Sequence, residues 1–325
     1  MKIVIPGGSG HIGRLLAESF HRSGDEVIVL SRNPALAPWR VVRWDGRTMG
    51  TWAEEIDGAD AVINLAGRSV DCRYNDENKR EILESRVFSA RVLGRVIAKV
   101  RRAPKVWLQM STATIYAHRF DAPNDERTGI IGGIEPDAPP EWRFSIDVAQ
   151  AWEREVDLTI CPATRKIKLR SAMVMTPDRG GAFHALLRHV RLGFGRFGDG
   201  RQYMSWIHAD DFVRAIRWLI AHREMSGAVN LASPHPLPNG EFMHALAGEW
   251  GAHFTLPVPR WLLPLGAAMF GTEPELVLKS RRVVPRRLLE SGFEFSHPGW
   301  PAAARDLCAR WRGAGGELAE PAPSY

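Results

Sequence analysis

The sequence predicts an α/β protein in which helices cover both faces of a parallel sheet. Strand-like and helix-like segments alternate along most of the chain, and a glycine-rich turn joins the first strand to the first helix. The strands are short apolar runs of the kind that sheets bury. The chain has 325 residues, more than one domain usually contains, so we expect a large α/β core with a smaller lobe.

The first βαβ unit is complete within about 30 residues, the size expected of such a unit. Residues 2–5 are apolar and β-branched, residues 12–23 have helical spacing, and residues 26–30 form a second apolar run. The alternation then continues. We predict further strands at 40–44, 60–65, 105–110, 165–175 and 229–232, and helices at 80–101, 144–156 and 207–221.

This pattern predicts a division of the chain into a core and a small, mainly helical C-terminal substrate lobe. The predicted parts are a dinucleotide-binding core at 1–178, a substrate-lobe insertion at 179–205, a return to the core at 206–233, a C-terminal lobe at 234–312 and a disordered tail at 313–325.

Composition and charge exclude several classes. The net charge of +6, from 43 basic and 37 acidic residues, suits an anionic ligand and does not by itself indicate nucleic acid. The basic positions between 279 and 287 predict a solvated helix face. Three cysteines without a CxxC pair predict neither a disulfide framework nor a zinc site.

We expect a cytoplasmic protein without a membrane partner. The N-terminus has no signal-peptide pattern, and the longest apolar stretch, 261–270, contains Pro264 and Gly266 and is too short to span a bilayer. Both a monomer and a homodimer remain open.

Gly7, Gly10 and Gly13 follow a strand and open a helix, the context that dinucleotide binding requires. The first glycine allows a tight turn, the second lets the backbone approach a pyrophosphate, and the third permits close helix–strand packing. The helix N-terminus then offers N–H groups and a positive dipole end to phosphates. The alternative is a tight turn that binds nothing.

The residues at the end of the second strand predict NADP, with NAD as the alternative cofactor. An acidic residue there binds the ribose hydroxyls of NAD, whereas an arginine accommodates the 2′-phosphate of NADP. This chain has Ser31 and Arg32 and no acid at that place. Arg32 can also be an ordinary surface arginine.

Taken in order, the motifs resemble the extended short-chain dehydrogenase/reductase superfamily. They are the glycine turn, NLAG at 64–67, STATIY at 111–116 and WIHADD at 206–211. More narrowly, residues 1–310 are similar to NAD(P)-dependent epimerase-like proteins with a C-terminal domain of unknown function. The resemblance implies a Rossmann-like, doubly wound parallel sheet with a small C-terminal substrate lobe.

The resemblance also implies cofactor contacts at matching positions. The pyrophosphate would lie along Gly7, Gly10, His11, Ile12 and Gly13, and the adenosine end along Ser31 and Arg32. The ribose would pass over Leu65, Ala66 and Gly67. The nicotinamide would meet Met110, Ser111 and Thr112, with Pro177 closing over it.

The resemblance fails at the catalytic helix. The superfamily uses Ser or Thr, here Thr112, with a Tyr-x-x-x-Lys pair on the next helix. That helix has Phe144 and Val148, or Ser145 and Ala149, at the two positions. Tyr116 is the candidate acid, with a structural role as its alternative. A substrate group or water is a further candidate, and Asp147 fits a solvated face better.

The sequence therefore predicts an NADP-binding oxidoreductase or epimerase-like protein for a small hydroxyl or carbonyl substrate, with Thr112 polarising the substrate oxygen. The missing pair motivates a second hypothesis, a non-catalytic NADP-binding regulatory or partner protein. Nucleic-acid binding is the weakest hypothesis. We predict no metal site, because an Asp N-cap explains Asp210 and Asp211 beside His208.

Overall fold

The computed structural model describes residues 1–136, 138–263 and 273–313. At its centre lies a seven-stranded sheet whose paired strands are all parallel. Its strands are β1 (Lys2–Pro6), β2 (Glu26–Ser31), β3 (Arg40–Arg43), β4 (Ala61–Asn64), β5 (Val106–Thr112), β6 (Arg165–Ser171) and β11 (Gly227–Leu231). In the order β11-β6-β5-β4-β1-β2-β3, the strands after β1 are added on one side and those from β4 onward on the other. The ligand crevice of such a sheet lies between β1 and β4, where this change of side occurs. The predicted doubly wound parallel sheet is confirmed.

Helices cover both faces of this sheet. The helices of the described residues are, in chain order, α1 (His11–Arg22), α2 (Asp76–Ile97), α3 (Arg143–Leu158), α4 (Ala182–Arg191), α5 (Ala209–Ala221), α6 (Asn239–Trp250), α7 (Glu275–Leu278), α8 (Arg286–Glu290) and α9 (Trp300–Gly313). Of these, α1, α5 and α8 pack on one face of the sheet and α2 and α3 on the other. Ile3 and Ile5 belong to the core that α1 and α5 cover, and Val4 belongs to the core under α2 and α3. Alternate residues of β1 thus enter opposite cores, so the strand is apolar from Ile3 onward.

A separate apolar core lies among α4, α6 and α9. Phe183, Leu187, Phe242 and Trp300 are fully buried in it. The Phe242 and Trp300 rings stack with centroids 3.8 Å apart, and Trp300 Nε1 donates to the Phe242 carbonyl at 2.9 Å. Helix α4, between residues 179 and 205, therefore packs with α6 and α9 of the C-terminal region.

Short strands outside the main sheet connect these parts. They are β7 (Met173–Met175), β8 (Phe194–Phe197), β9 (Tyr203–Met204), β10 (Trp206–His208), β12 (Leu237–Pro238) and β13 (Leu256–Val258). The predicted strand at 165–175 is wrong as one element, because after Ser171 the chain leaves the sheet and β7 pairs with β10. The helix predicted from residue 207 begins at Ala209, since 206–208 form that partner strand.

Three further expectations concern the helices and the chain ends. The helix predicted at 80–101 runs from Asp76 to Ile97, because Asn75 caps it by accepting from Asn78 N at 2.8 Å. In the part of the chain that is described, no helix is long and apolar enough to cross a membrane. Most of the apolar stretch at 261–270, and all of the predicted tail after Gly313, lie outside the described residues.

Candidate functional site

The glycine turn between β1 and α1 has the geometry that its three glycines predict. Gly7 has φ +77°, and a Cβ there would lie 2.7 Å from Ala66 N. A Cβ on Gly13 would lie 2.4 Å from the Gly8 Cα, so the helix approaches the turn closely. These two glycines are required by the protein itself.

Gly10 is different, because the described residues leave room for a side chain there. Among the described residues a Cβ on Gly10 would meet only the Gly7 carbonyl oxygen within 4 Å, at 3.5 Å. Gly10 is the N-cap of α1, no described side chain caps it, and the first turn contains no acid. The helix N-terminus is therefore free to accept an anion, and a side chain at position 10 would occupy part of that space.

A strap formed by residues 176–181 lies over the first residue of α1. His11 Nε2 lies 2.5 Å from Thr176 Oγ1, and a Cβ on Gly181 would come within 2.8 Å of His11 Nε2. Burial lowers the His11 pKa below its ordinary value of 6.5, which favours the neutral ring. Pro177 is half-buried in this strap, and its closing over a nicotinamide stays a prediction.

The loop after β4 is held under the glycine turn by a buried amide network. Asn64 Nδ2 donates to Gln109 Oε1 at 2.9 Å, and Asn64 Oδ1 accepts from Ala66 N at 3.1 Å. Leu65 N donates to the Pro6 carbonyl at 2.8 Å. Leu65, Ala66 and the following Gly67 thus lie next to the turn, where the family resemblance expects a ribose.

The ends of β2 and β3 carry two arginines beside one cavity. Ser31 and Arg43 are partners in the register of these strands. Arg32 and Arg43 line a cavity of about 480 Å³, together with Trp44 and Asp45. Neither arginine forms an ion pair with a described residue. The sequence reasoning missed Arg43, because only strand register brings it beside Arg32.

The acid in this cavity wall is already satisfied. Asp45 accepts from Arg47 N at 2.8 Å, from Thr48 N at 2.9 Å and from Thr48 Oγ1 at 2.5 Å. Burial pushes the Asp45 pKa upward, but these hydrogen bonds hold it below its ordinary value. The Asp45 carboxylate therefore stays charged, but it forms no ion pair with either arginine, so the cavity carries two guanidinium groups and one carboxylate. Ser31 Oγ, 3.0 Å from Ser9 Oγ, ties the end of β2 to the glycine turn.

The residues predicted to meet a nicotinamide lie at the end of β5, and their side chains do not all have the same exposure. Met110 and Thr112 are partly exposed, and Thr112 Oγ1 accepts from Thr114 N at 3.1 Å within the single helical turn Ala113–Ile115. Ser111 points the other way, since its hydroxyl is buried and donates to Glu153 at 2.7 Å. Thr112 is thus the hydroxyl available at the crevice.

Tyr116 belongs to a buried network behind the strand ends. Its hydroxyl donates to Asn230 Oδ1 at 2.9 Å and accepts from Arg170 at 3.0 Å, and the residue is 2% exposed. Arg170 also pairs with Glu153 at 2.9 Å. Burial raises the Tyr116 pKa. These contacts fit the structural alternative for Tyr116, and its catalytic role stays a prediction.

The two candidate pairs on α3, Phe144 with Val148 and Ser145 with Ala149, have the same exposure pattern, because only the second residue of each is buried. Val148 and Ala149 are buried, whereas Phe144 and Ser145 are only half-buried. The Phe144 ring packs edge-on against Tyr74, with centroids 5.3 Å apart. Asp147 is exposed and pairs with Arg143 at 3.5 Å, as expected of a solvated position.

The expected solvated helix face is wrong for residues 279–281, which follow α7 and are buried, whereas Arg286 and Arg287 lie on α8 and are partly exposed. Lys279 and Arg281 are only 2% and 9% exposed. Lys279 Nζ donates to the Thr114 carbonyl at 2.9 Å, and Arg281 Nε donates to Thr114 Oγ1 at 3.0 Å. The chain leaves α7 at this point and packs inward on the turn after β5.

The N-cap of α5 is His208 rather than an aspartate. Its Nδ1 accepts from Asp210 N at 3.1 Å, so the imidazole takes the role expected of a carboxylate. The potential ligand atoms of His208, His297 and Asp306 lie within 4.8 Å of one another. Arg310 pairs with Asp306 at 2.8 Å and already supplies a positive charge there. The absence of a metal stays a prediction.

Comparison with known proteins identifies two matching regions. The model of the NAD dependent epimerase/dehydratase family matches residues 3–232. The model of a domain of unknown function (DUF1731) matches residues 258–307, which include α7 and the buried run at 279–281.

Relatives match over nearly their whole length. The chain is 30% identical to the epimerase family protein SDR39U1 of Bos taurus, covering 95% of this chain and 100% of that protein. It is 29% identical to the epimerase family protein YfhF of Bacillus subtilis, covering 95% and 98%. A crystal structure of human SDR39U1 (isoform 2) with NADPH superposes with a TM-score of 0.82 at 27% identity, covering 95% and 99%.

Proposed function

Because the chain belongs to the NAD dependent epimerase/dehydratase family, as its motifs predicted, we propose that it is an NADP-dependent oxidoreductase or epimerase-like protein for a small hydroxyl or carbonyl substrate. The observation that carries the choice of NADP is the cavity at the ends of β2 and β3, where Arg32 and Arg43 have no carboxylate partner among the described residues. A guanidinium binds phosphate through paired N–H donors, so this pair favours a 2′-phosphate.

The other contacts with the cofactor would come from residues at the crevice. Gly10 and the N-terminus of α1 would hold the pyrophosphate, and Leu65 to Gly67 would lie along the ribose. The human relative solved with NADPH supports this arrangement, since it is similar over the same length. When bound, the reduced nicotinamide supplies a hydride. Thr112 would orient and polarise the substrate oxygen through its hydroxyl.

The reaction is tested by following NADPH absorbance with a panel of small aldehydes and ketones, using NADH as the matched cofactor. We expect turnover that is faster with NADPH. Thr112→Val, which keeps the side-chain shape, should lower kcat about tenfold or more and leave the Kd for NADPH unchanged. Turnover that Thr112→Val does not change would remove Thr112 from the reaction.

The missing Tyr-x-x-x-Lys pair favours one rival, a non-catalytic NADP-binding regulatory or partner protein. Both proteins would bind NADPH, so binding alone does not separate them. Tight NADPH binding without turnover of any member of the panel would favour the regulator. Turnover would exclude it.

A further inference from the structure

Arg86 of α2 carries a guanidinium group that has no carboxylate partner among the described residues. Its Nη1 donates to two backbone carbonyls, that of Arg68 at 3.0 Å and that of Ile82 at 3.1 Å. Its Nε and Nη2 have no hydrogen-bond acceptor among those residues, and the side chain is partly exposed. The two backbone contacts therefore fix the guanidinium in place and leave one of its edges available to a ligand.

This guanidinium lies against the loop after β4, at the crevice. A Cβ on Gly67 would come within 3.1 Å of Arg86 Cζ and within 3.3 Å of its Nη1, so the loop backbone and the guanidinium are in contact. Ala66, the preceding residue of the loop, adjoins the glycine turn, because a Cβ on Gly7 would lie 2.7 Å from Ala66 N. A chain of close contacts thus leads from the glycine turn through the loop to Arg86.

The surroundings of Arg86 supply little to balance its charge. Its Cζ lies 5.1 Å from the centroid of the Trp152 ring of α3. Burial lowers the Arg86 pKa to about 10, so the guanidinium stays charged at neutral pH. The side chains that act on this charge are the Tyr74 phenol and the Cys72 thiol, and neither is a carboxylate. A cation that has lost much of its hydration without gaining a counter-ion destabilises a folded protein, and the aromatic ring offsets only part of that cost.

Arg91, further along the same helix, shows what the free edge of Arg86 can bind. Arg91 donates to Glu155 through Nε at 3.0 Å and through Nη2 at 2.7 Å, so one edge of the guanidinium holds both carboxylate oxygens. Nε and Nη2 are the two atoms that Arg86 leaves without an acceptor. Their parallel N–H groups match two oxygens of a carboxylate or a phosphate. Unsatisfied polar groups of this kind are expected at functional sites.

We propose that Arg86 binds a carboxylate or phosphate group of the substrate through Nε and Nη2, beside the loop at 65–67. This inference rests on the proposed function and narrows its substrate to a hydroxyl or carbonyl compound that carries such an anionic group. The cofactor is a second source of the same chemistry. Its pyrophosphate is assigned to the N-terminus of α1 and its 2′-phosphate to the cavity with Arg32 and Arg43, so we assign Arg86 to the substrate.

The experiment uses the full-length protein labelled with ¹⁵N and follows the arginine Nε–H resonances by NMR. The Arg86 resonance is assigned through its own backbone and confirmed with Arg86→Lys. Calorimetry on the same sample establishes independently whether NADP⁺ binds. At saturating NADP⁺ the anionic probes are pyruvate and inorganic phosphate, and acetone is the neutral probe matched to pyruvate. The Arg91 resonance is the internal control, because its Nε and Nη2 already hold Glu155.

We expect pyruvate and phosphate each to move the Arg86 resonance saturably, and acetone to leave it in place. The Arg91 resonance should not respond to any of the three probes. In Arg86→Met the Kd for pyruvate, measured from saturation transfer to its methyl protons, should rise at least about tenfold, because two charge-assisted hydrogen bonds are lost. Arg91→Met should leave that Kd within about twofold of wild type. The titration of the wild type tests the contact even where Arg86→Met does not fold.

The outcomes separate this inference from the proposed function. If NADP⁺ binds and neither anion moves the Arg86 resonance, the inference is overturned while the proposed function stands. If NADP⁺ alone moves the resonance and abolishes its response to both anions, Arg86 binds the cofactor, and the assignment to the substrate is again overturned. If NADP⁺ does not bind, the proposed function falls and the inference falls with it.

Discussion

Gly13 approaches Gly8 so closely that a Cβ on Gly13 would lie 2.4 Å from the Gly8 Cα. A Cβ on Gly10, three residues earlier, would meet only the Gly7 carbonyl oxygen among the described residues, at 3.5 Å. Gly13 is therefore needed for packing, and a glycine at position 10 is needed only if a ligand approaches. Substituting each with alanine separates the two requirements.

Gly10→Ala should weaken NADP⁺ binding at least about tenfold, because the added methyl group occupies space at the helix N-terminus. Its free energy of unfolding should change little. Gly13→Ala is the matched control and should lose about 1–3 kcal/mol of stability through overpacking. Calorimetric titration and denaturant unfolding measure both quantities. Unchanged affinity in Gly10→Ala would mean that no pyrophosphate lies at this turn.

Arg32→Ala and Arg43→Ala should each weaken NADP⁺ binding by about 1.5–3 kcal/mol, the range of a hydrogen bond to a charged group, and leave NAD⁺ binding nearly unchanged. Arg40→Ala is the control, because Arg40 lies on the same strand but pairs with Glu55 at 2.5 Å. Competition binding with both cofactors provides the measurement. Equal losses for NADP⁺ and NAD⁺ would show that these arginines do not contact a 2′-phosphate.

The burial of Lys279 should make the free energy of unfolding depend on pH in the alkaline range. Burial lowers its pKa from 10.5 to about 8 in the folded protein. Between these values the unfolded chain binds more protons than the folded one, so the free energy of unfolding should rise with pH there, by up to about 3 kcal/mol. Below pH 8 both states are protonated and this contribution is constant. Denaturant unfolding across this range should give a flatter profile for Lys279→Met, and parallel profiles would contradict the assignment.

Tyr116→Phe tests whether this residue is structural or catalytic. Removing its hydroxyl leaves Asn230 Oδ1 and Arg170 Nη1 without the partner that they have in the wild type, so we expect a loss of about 1–3 kcal/mol in unfolding free energy. NADPH affinity and turnover should remain close to wild type. A stable variant that has lost turnover would instead make Tyr116 the acid.

Local patterns were sufficient to predict the fold and the glycine turn. Parallel strands buried on both faces are apolar throughout, as Ile3 and Val4 illustrate by entering opposite cores. Such patterns do not show which strands pair with each other. The run at 165–175 can be read as one strand, yet it divides after Ser171 because β7 pairs with β10.

Contacts across long sequence separations account for what the sequence did not predict in the site. Arg43 joins Arg32 only because β3 lies beside β2 in register. Ser145 Oγ donates to Glu275 Oε2 at 2.7 Å, although the two residues are 130 positions apart and carry no motif that connects them. The basic residues at 279–281 have the composition of an exposed segment, and only the contacts with Thr114 show that they are buried.

Calorimetric titration of the purified protein with NADPH and with NADH tests the central claim most directly, after absorbance and mass spectra have checked for copurified cofactor. The account predicts clear binding of NADPH that is at least about tenfold tighter than that of NADH, from one or more additional phosphate contacts. Equal affinity, or tighter NADH binding, would contradict the role of Arg32 and Arg43. Binding of neither cofactor would mean that the glycine turn only packs α1 against β1, and the proposed function would be wrong.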